Sequence, residues 1–216
     1  MDYRLPNGAT LEIASGLATA KTMSAVSNAN PAVATLEAAH GVVENDIIVV
    51  ASGWSRLDGR VIKAGTVAVN DVNLGAFNSS DTDRFSPGGG IGSVREVTGW
   101  TQIPQVVGFD TSGGEQNFYT FQFLEDDDER QIPTSRSPVQ ATLEVADDTS
   151  GAWYAVVDAA DEARTAVPLR LNLRDGSKIY YNAIVTLNRT PSVTVNQIMT
   201  LSVTLSLVAP ITRYSA

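Results

Sequence analysis

The chain contains no cysteine. Disulfides, thiol nucleophiles and cysteine-ligated metal centres are therefore excluded. It has one histidine, His40, followed by Gly41. One imidazole without a second histidine or a thiol cannot complete a zinc-type site, so a structural or turn role is expected. Basic residues are scarce: 15 lysines and arginines stand against 24 acids, a net charge of −9. Tight non-specific nucleic-acid binding needs cations that displace phosphate counterions, and this balance predicts solubility and repulsion of DNA instead. No apolar run approaches the roughly 18 residues that suggest a membrane span, and no membrane insertion is expected. The opening "MDYRLPNGATLEIASG" lacks the basic start and apolar stretch of a secretory leader.

Signatures of chemistry are missing as well. The run "PGGGIG", Gly88 to Gly90, fails the G-x-G-x-x-G spacing in every register, and no G-K-[ST] appears. It reads as a tight, flexible loop. No G-x-S-x-G elbow occurs among the many serines. Two glycosylation sequons, at Asn78 and Asn188, carry no information without a secretory leader. No catalytic residue, metal ligand or cofactor is expected, and the chain does not read as an enzyme.

What the chain does contain is strands. Hydrophobic residues make up 43% of its 216 residues, enough for a packed core in one ordinary domain, or one domain carrying an insert. Tyr119, Phe121 and Phe123 alternate with polar residues, as do Ala141, Leu143 and Val145, and then Leu169, Leu171 and Leu173. "RDGSK" places a hairpin turn at Asp175-Gly176. Ile179, Tyr181, Ala183, Val185 and Leu187 follow on one face of the next strand. Met199, Leu201, Val203, Leu205 and Leu207 do so on the last, whose other face is Thr200, Ser202, Thr204 and Ser206. This is the period of half-buried strands.

One segment departs from it. Trp153, Val156, Val157 and Ala160 recur at helical spacing and predict one helix over about 149–163. Asp148, Thr149 or Ser150 is expected to cap it. Trp153 is expected to anchor the helix in the core, in preference to a role as a ligand-stacking platform. From about residue 20 to 97 the strands are shorter and broken by Gly, Asn and Asp, with no linker on either side. This predicts a small β-rich unit, 20–97, inserted into a domain made of 1–19 and 98–216.

The most unusual stretch is "LEDDDERQIPTSRSP", in which Glu125, Asp126, Asp127, Asp128 and Glu129 are consecutive. Adjacent carboxylates repel one another. Their spacing is not that of a calcium-binding loop, so a mobile acidic loop is expected. Arg130 and Arg136 are placed to pair with acids of a neighbouring subunit.

"LRLNLRDGSKIYYNAIVTLNRTPSVTVNQIMTLSVTLSLVAP" resembles the end of the major tail proteins of long, non-contractile phage tails, the tail tube proteins. The order of parts before it matches too: a strand ("FYTFQFL"), an acidic loop, a strand ("ATLEV"), a helix ("GAWYAVVDAA"), then the closing strands. "AAHGVVENDIIVVASGWSRLDGRVIKAG" and "GWTQIPQV" resemble a β-rich insert found in one branch of these proteins. The resemblance implies a mainly-β tail-tube sandwich or barrel with one flanking helix. It also implies homohexameric rings that stack into a tube for DNA delivery without binding DNA tightly. The implied partners are further copies of the chain, a tail terminator, a tape measure and tail tip proteins, and the implied location is a virion tail assembled in the host cytoplasm.

By the same resemblance, Glu125 to Arg130, Ile132, Pro133 and Arg136 belong to an inter-ring contact loop. Leu171, Leu173, Ile179, Tyr181, Val203, Thr204 and Leu205 belong to inter-subunit barrel strands. A different class of function, a carbohydrate- or surface-binding β-sandwich module, requires an exposed aromatic platform. The three tryptophans, Trp54, Trp100 and Trp153, are scattered along the chain.

Overall fold

Alternating apolar residues give each strand one dry face, and the fold follows from joining those faces. The computed structural model describes residues 7–216; the first six residues of the expected 1–19 segment lie outside that range. The strands are β1 (Thr10–Leu17), β2 (Lys21–Val26), β3 (Val33–Leu36), β4 (Ile47–Ser52), β5 (Val61–Lys63), β6 (Val67–Ala68), β7 (Asp71–Asn73) and β8 (Gly92–Ile103). They continue with β9 (Val106–Ser112), β10 (Gln116–Phe121), β11 (Arg130–Arg136) and β12 (Gln140–Ala146). The helix α1 (Ala152–Ala163) precedes β13 (Ala166–Asn172), β14 (Lys178–Ser192), β15 (Thr200–Leu207) and β16 (Thr212–Tyr214). The described chain is mainly β, with antiparallel sheets and one helix, as a β-sandwich with a flanking helix requires.

The larger core lies under the strand order β8-β1-β13-β14-β15-β12-β9. Only Pro104 and Gln105 separate β8 from β9 in sequence, so this sheet must roll until its two ends approach. Leu11, Ile13 and Ile103 from one end then share a buried cluster with Leu143, Val203 and Leu205 from the other. Helix α1 closes the cluster through Trp153, Val157 and Ala160. The Asp175-Gly176 turn joins β13 and β14 as expected, with Gly176 at φ +85°.

A second core gathers Met23, Ile48, Trp54, Leu57, Leu74 and Val94, among others. Its strands flank the first half of β8: β2 pairs there on one side and β4 on the other, while β1 takes the second half. A third, small cluster at the junction joins Ala14, Ile47, Val61, Val97 and Tyr180. His40 is buried in a turn, where its Nδ1 accepts the Val42 N–H and its Nε2 lies 3.0 Å from the Val69 carbonyl. A proton on Nε2 satisfies both contacts. The Gly88–Gly90 loop lies over Trp54: a Cβ on Gly90 would sit 3.0 Å from the indole, whose Nε1 donates to the Ser86 carbonyl at 2.9 Å. Gly89 and Gly90 therefore serve packing, whereas Gly88 meets open space and sits at φ +76°.

Two local expectations are corrected. The helix begins at Ala152, and its N-cap is Gly151, without a side-chain cap. The Asp148 carboxylate is already used by the N–H and hydroxyl of Ser150, which also lower its pKa. A Cβ at position 151 would fall 2.6 Å from the Trp153 ring, so glycine is what lets the indole fold back. The acidic segment, in turn, is only partly a loop. Its second half, Arg130 to Arg136, is β11, which pairs with β10 as a separate two-stranded hairpin.

Candidate assembly surfaces

Opposite the core, the sheet β9-β12-β15-β14 shows a polar face. Register places Asp110, Thr142, Thr204 and Thr186 in one row across the four strands. Glu144, Ser202 and Asn188 form the row beside it. Neither of these two rows carries a lysine or arginine; the one cation of the four strands with the parity of Thr186 is Lys178, at the far end of β14. Alternation along β15 makes the division clean: Leu201, Val203 and Leu205 are buried while Thr200, Ser202, Thr204 and Ser206 are half-exposed. Of the residues named for barrel strands, Tyr181, Val203 and Leu205 turn into the protein's own core, with half-buried Ile179 packed beside them. Leu171 packs at the core margin, Leu173 lies in the turn beyond β13, and Thr204 stands on the polar face.

The sheet ends in β9, which pairs with β12 on one side and with no other strand among the described residues. Val106 and Val107 on this edge are exposed. An edge of unpaired N–H and C=O groups is a template for another strand.

The hairpin β10–β11 stands away from both cores. Phe118, Tyr119, Phe123 and Ile132 are all at least half exposed, and Leu124 at its tip is fully so. The aromatic alternation read from sequence is therefore a ladder that packs on itself, with Tyr119 and Phe121 stacked at 6.3 Å. The five acids form the turn. Among the described residues Asp126 alone of the five is ion-paired, with Arg130, whose guanidinium also lies over the Phe123 ring. Pro133 and Ile132 lie on β11 opposite Phe118 and Tyr119, and Arg136 lies opposite Gln116.

Two features escaped the sequence reading. The β14–β15 loop exposes Val193, Val195 and Ile198. Between the second core and the C-terminal strand lies a cleft of about 430 Å³, walled by Arg56, Arg60, Arg84 and Arg213 and floored by Ile62, Leu74 and Phe77. Arg60 lies 5.3 Å over the Phe77 ring; burial, and then the neighbouring Arg56, lower its pKa. Asp81 is the one acid of the lining and is paired with Arg84 at 3.1 Å. No signal in the sequence places these arginines together, since they come from three separate segments.

The helix has a matching device on its outer side. Arg189 of β14 lies 2.6 Å from Asp158 and 3.1 Å from Asp161, so the acids off the apolar stripe clamp α1 to the sheet. Hydrogen bonding to Asp158 raises the arginine's pKa. Trp54 and Trp153 are buried, and Trp100 is half-buried beneath the Arg170 guanidinium at 4.4 Å. These positions do not form the exposed platform that glycan stacking requires.

Comparison with known proteins gives a family. The model of the phage tail tube protein family, TTP, matches residues 52–216. No curated protein matches the chain. Among solved structures, the tube terminating cap of the anti-feeding prophage, seen by cryo-electron microscopy, is 19% identical; the alignment covers 53% of this chain and 83% of that one, with a TM-score of 0.35.

Proposed function

The chain belongs to the phage tail tube protein family, structural components of the phage tail, and from that premise we propose that six copies close into a ring and that rings stack into a conduit for DNA. The observation that carries the reading is the polar face of β9-β12-β15-β14. Hydroxyls and carboxylates on that face hydrate the channel wall. Its two central rows, Asp110 to Thr186 and Glu144 to Asn188, hold no lysine or arginine to bind passing phosphates. The open edge β9 supplies the strand along which neighbouring sheets join, and ring closure removes the hazard of an unpaired edge. The closing strands from Leu169 to Val208, with Thr204 on the channel side, are the barrel strands of this assembly.

The hairpin from Glu125 to Arg136 bridges successive rings. The unit 20–97 is an insert on the outside of the tube, since one on the channel side would block DNA. A tail terminator, a tape measure and tail tip proteins are its further partners, and assembly takes place in the host cytoplasm. Electron microscopy of the purified protein tests the reading. Sixfold rings or tubes with an open channel are expected; a monomer at every concentration, or density of the insert within the channel, overturns it.

A further inference from the structure

We propose that the arginine cleft is the receptor for the acidic hairpin tip, Leu124 to Glu129, of a second copy of the chain. This rests on the ring-and-tube reading above and names the surface that the hairpin meets.

The argument is one of charge and shape. The protein carries a net charge of −9, yet four of its 15 basic residues wall one cleft. The single acid in that lining, Asp81, is matched to Arg84. Arg56, Arg60 and Arg213 are left without a carboxylate partner among the described residues. The hairpin tip has the opposite imbalance. Four of its five acids have no ion pair among the described residues, and the arginine next to them is already committed to Asp126. Each surface leaves like charges crowded together, and each holds what the other lacks. An arginine fork donates two parallel N–H bonds to a carboxylate, which gives the contact a fixed geometry as well as strength.

The apolar parts match too. Leu124 stands fully exposed at the start of the acidic run. The cleft floor offers half-buried Phe77 beside exposed Ala76, backed by the buried Ile62 and Leu74, a shallow seat for one aliphatic side chain among cations. An apolar anchor followed by carboxylates meets an apolar floor rimmed by guanidinium groups. Both walls of the cleft are needed: Arg56, Arg60 and Arg84 come from the loops around the second core, and Arg213 from β16. The unit 20–97 thereby takes part in assembly and does more than decorate the tube.

The natural absence of cysteine makes the test clean. Two single variants, Asp127→Cys and Arg213→Cys, are mixed and oxidised under assembly conditions. A disulfide-linked heterodimer is expected, and neither variant alone should give it in comparable yield. In parallel, Arg213→Glu, alone and with Arg56→Glu, should raise the concentration needed for tube formation about tenfold or more. Reversal of Asp127 and Asp128 to Lys on the same chain, which leaves the Asp126–Arg130 pair intact, should restore assembly. Circular dichroism and melting of each variant separate misfolding from lost contact, and Arg213→Gln gives a milder change at the same site. Wild-type tubes without the heterodimer, or tubes indifferent to the arginine reversals, overturn the inference and leave the tube reading standing. Wild-type protein that forms no ring or tube overturns both.

Discussion

The hydroxyl of Tyr214 accepts a hydrogen bond from the backbone N–H of Lys63 at 2.9 Å, joining residues 151 positions apart in sequence. The same ring packs edge-on against Tyr180 at 5.8 Å, and burial raises the pKa of its phenol. The C-terminal strand is thus a latch on the second core. Tyr214→Phe keeps the ring contact and strands the Lys63 donor. It should cost about 1 kcal/mol, read as a lower midpoint in denaturant with an unchanged slope.

Thr204 pairs with Thr142 on one side and Thr186 on the other. Proline there removes a ladder donor from an interior strand, at about 3 kcal/mol or more. Thr204→Pro should lower the melting temperature and abolish tubes in negative-stain images. Thr204→Ser, which keeps the hydroxyl, should do neither.

Trp153 is buried under α1, and its Nε1 finds no hydrogen-bond acceptor among the described residues. Trp153→Ala should destabilise by about 3–5 kcal/mol through the cavity it leaves. Trp153→Phe removes an unsatisfied donor along with some volume, so its loss should be clearly smaller. Thermal unfolding of the two variants side by side checks the difference.

Glu96 on β8 is half-buried; burial, and then the neighbouring Asp46, raise its pKa above the ordinary 4.5. A carboxyl whose folded pKa is raised binds its proton more tightly when folded. It therefore destabilises the protein above that raised pKa, and the penalty fades as pH falls through it. Glu96→Gln should raise the melting temperature at neutral pH and give no advantage near about pH 4.

The acidic turn should be cut readily in the free protein by an endoproteinase specific for glutamate, at Glu125 and Glu129. Such segments keep few buried contacts. Assembly should protect both bonds, and protection should weaken near 1 M salt, where screening acts over about 3 Å. Equal cleavage of free and assembled protein would contradict a contact role for the turn.

Much of this architecture was legible because alternation of period two needs no partner to be recognised. Leu201, Val203 and Leu205 announced a buried face, and Asp175-Gly176 announced its turn. What stayed hidden depended on contacts between distant segments. The cap of α1 was misread because Asp148 and Ser150 satisfy each other, and because the Trp153 ring needs the space a Cβ at Gly151 would take. Strand β11 was hidden because its residues are exposed throughout, so no dry face marks them. Strand β16 follows Pro210 and owes its place to β14. The arginine cleft needs residues 56–84 and 213 to meet, and nothing local encodes that.

The shared strand β8 has a mechanical consequence. Val94 sits in the second core, Val97 at the junction and Ile103 in the first core, all on one uninterrupted strand. At a strand's ordinary rise this is about 30 Å of hydrogen-bonded backbone with no loop in it. A force applied to the unit built on the second core therefore meets no loop along β8. It travels along β8 as shear on the ladders that β8 forms with β1, β2 and β4, the first of them bulged at Gly16, and reaches the sheet of the first core. In the proposed tube, whatever touches the unit 20–97 would act as a hand on a lever whose other end is part of the channel.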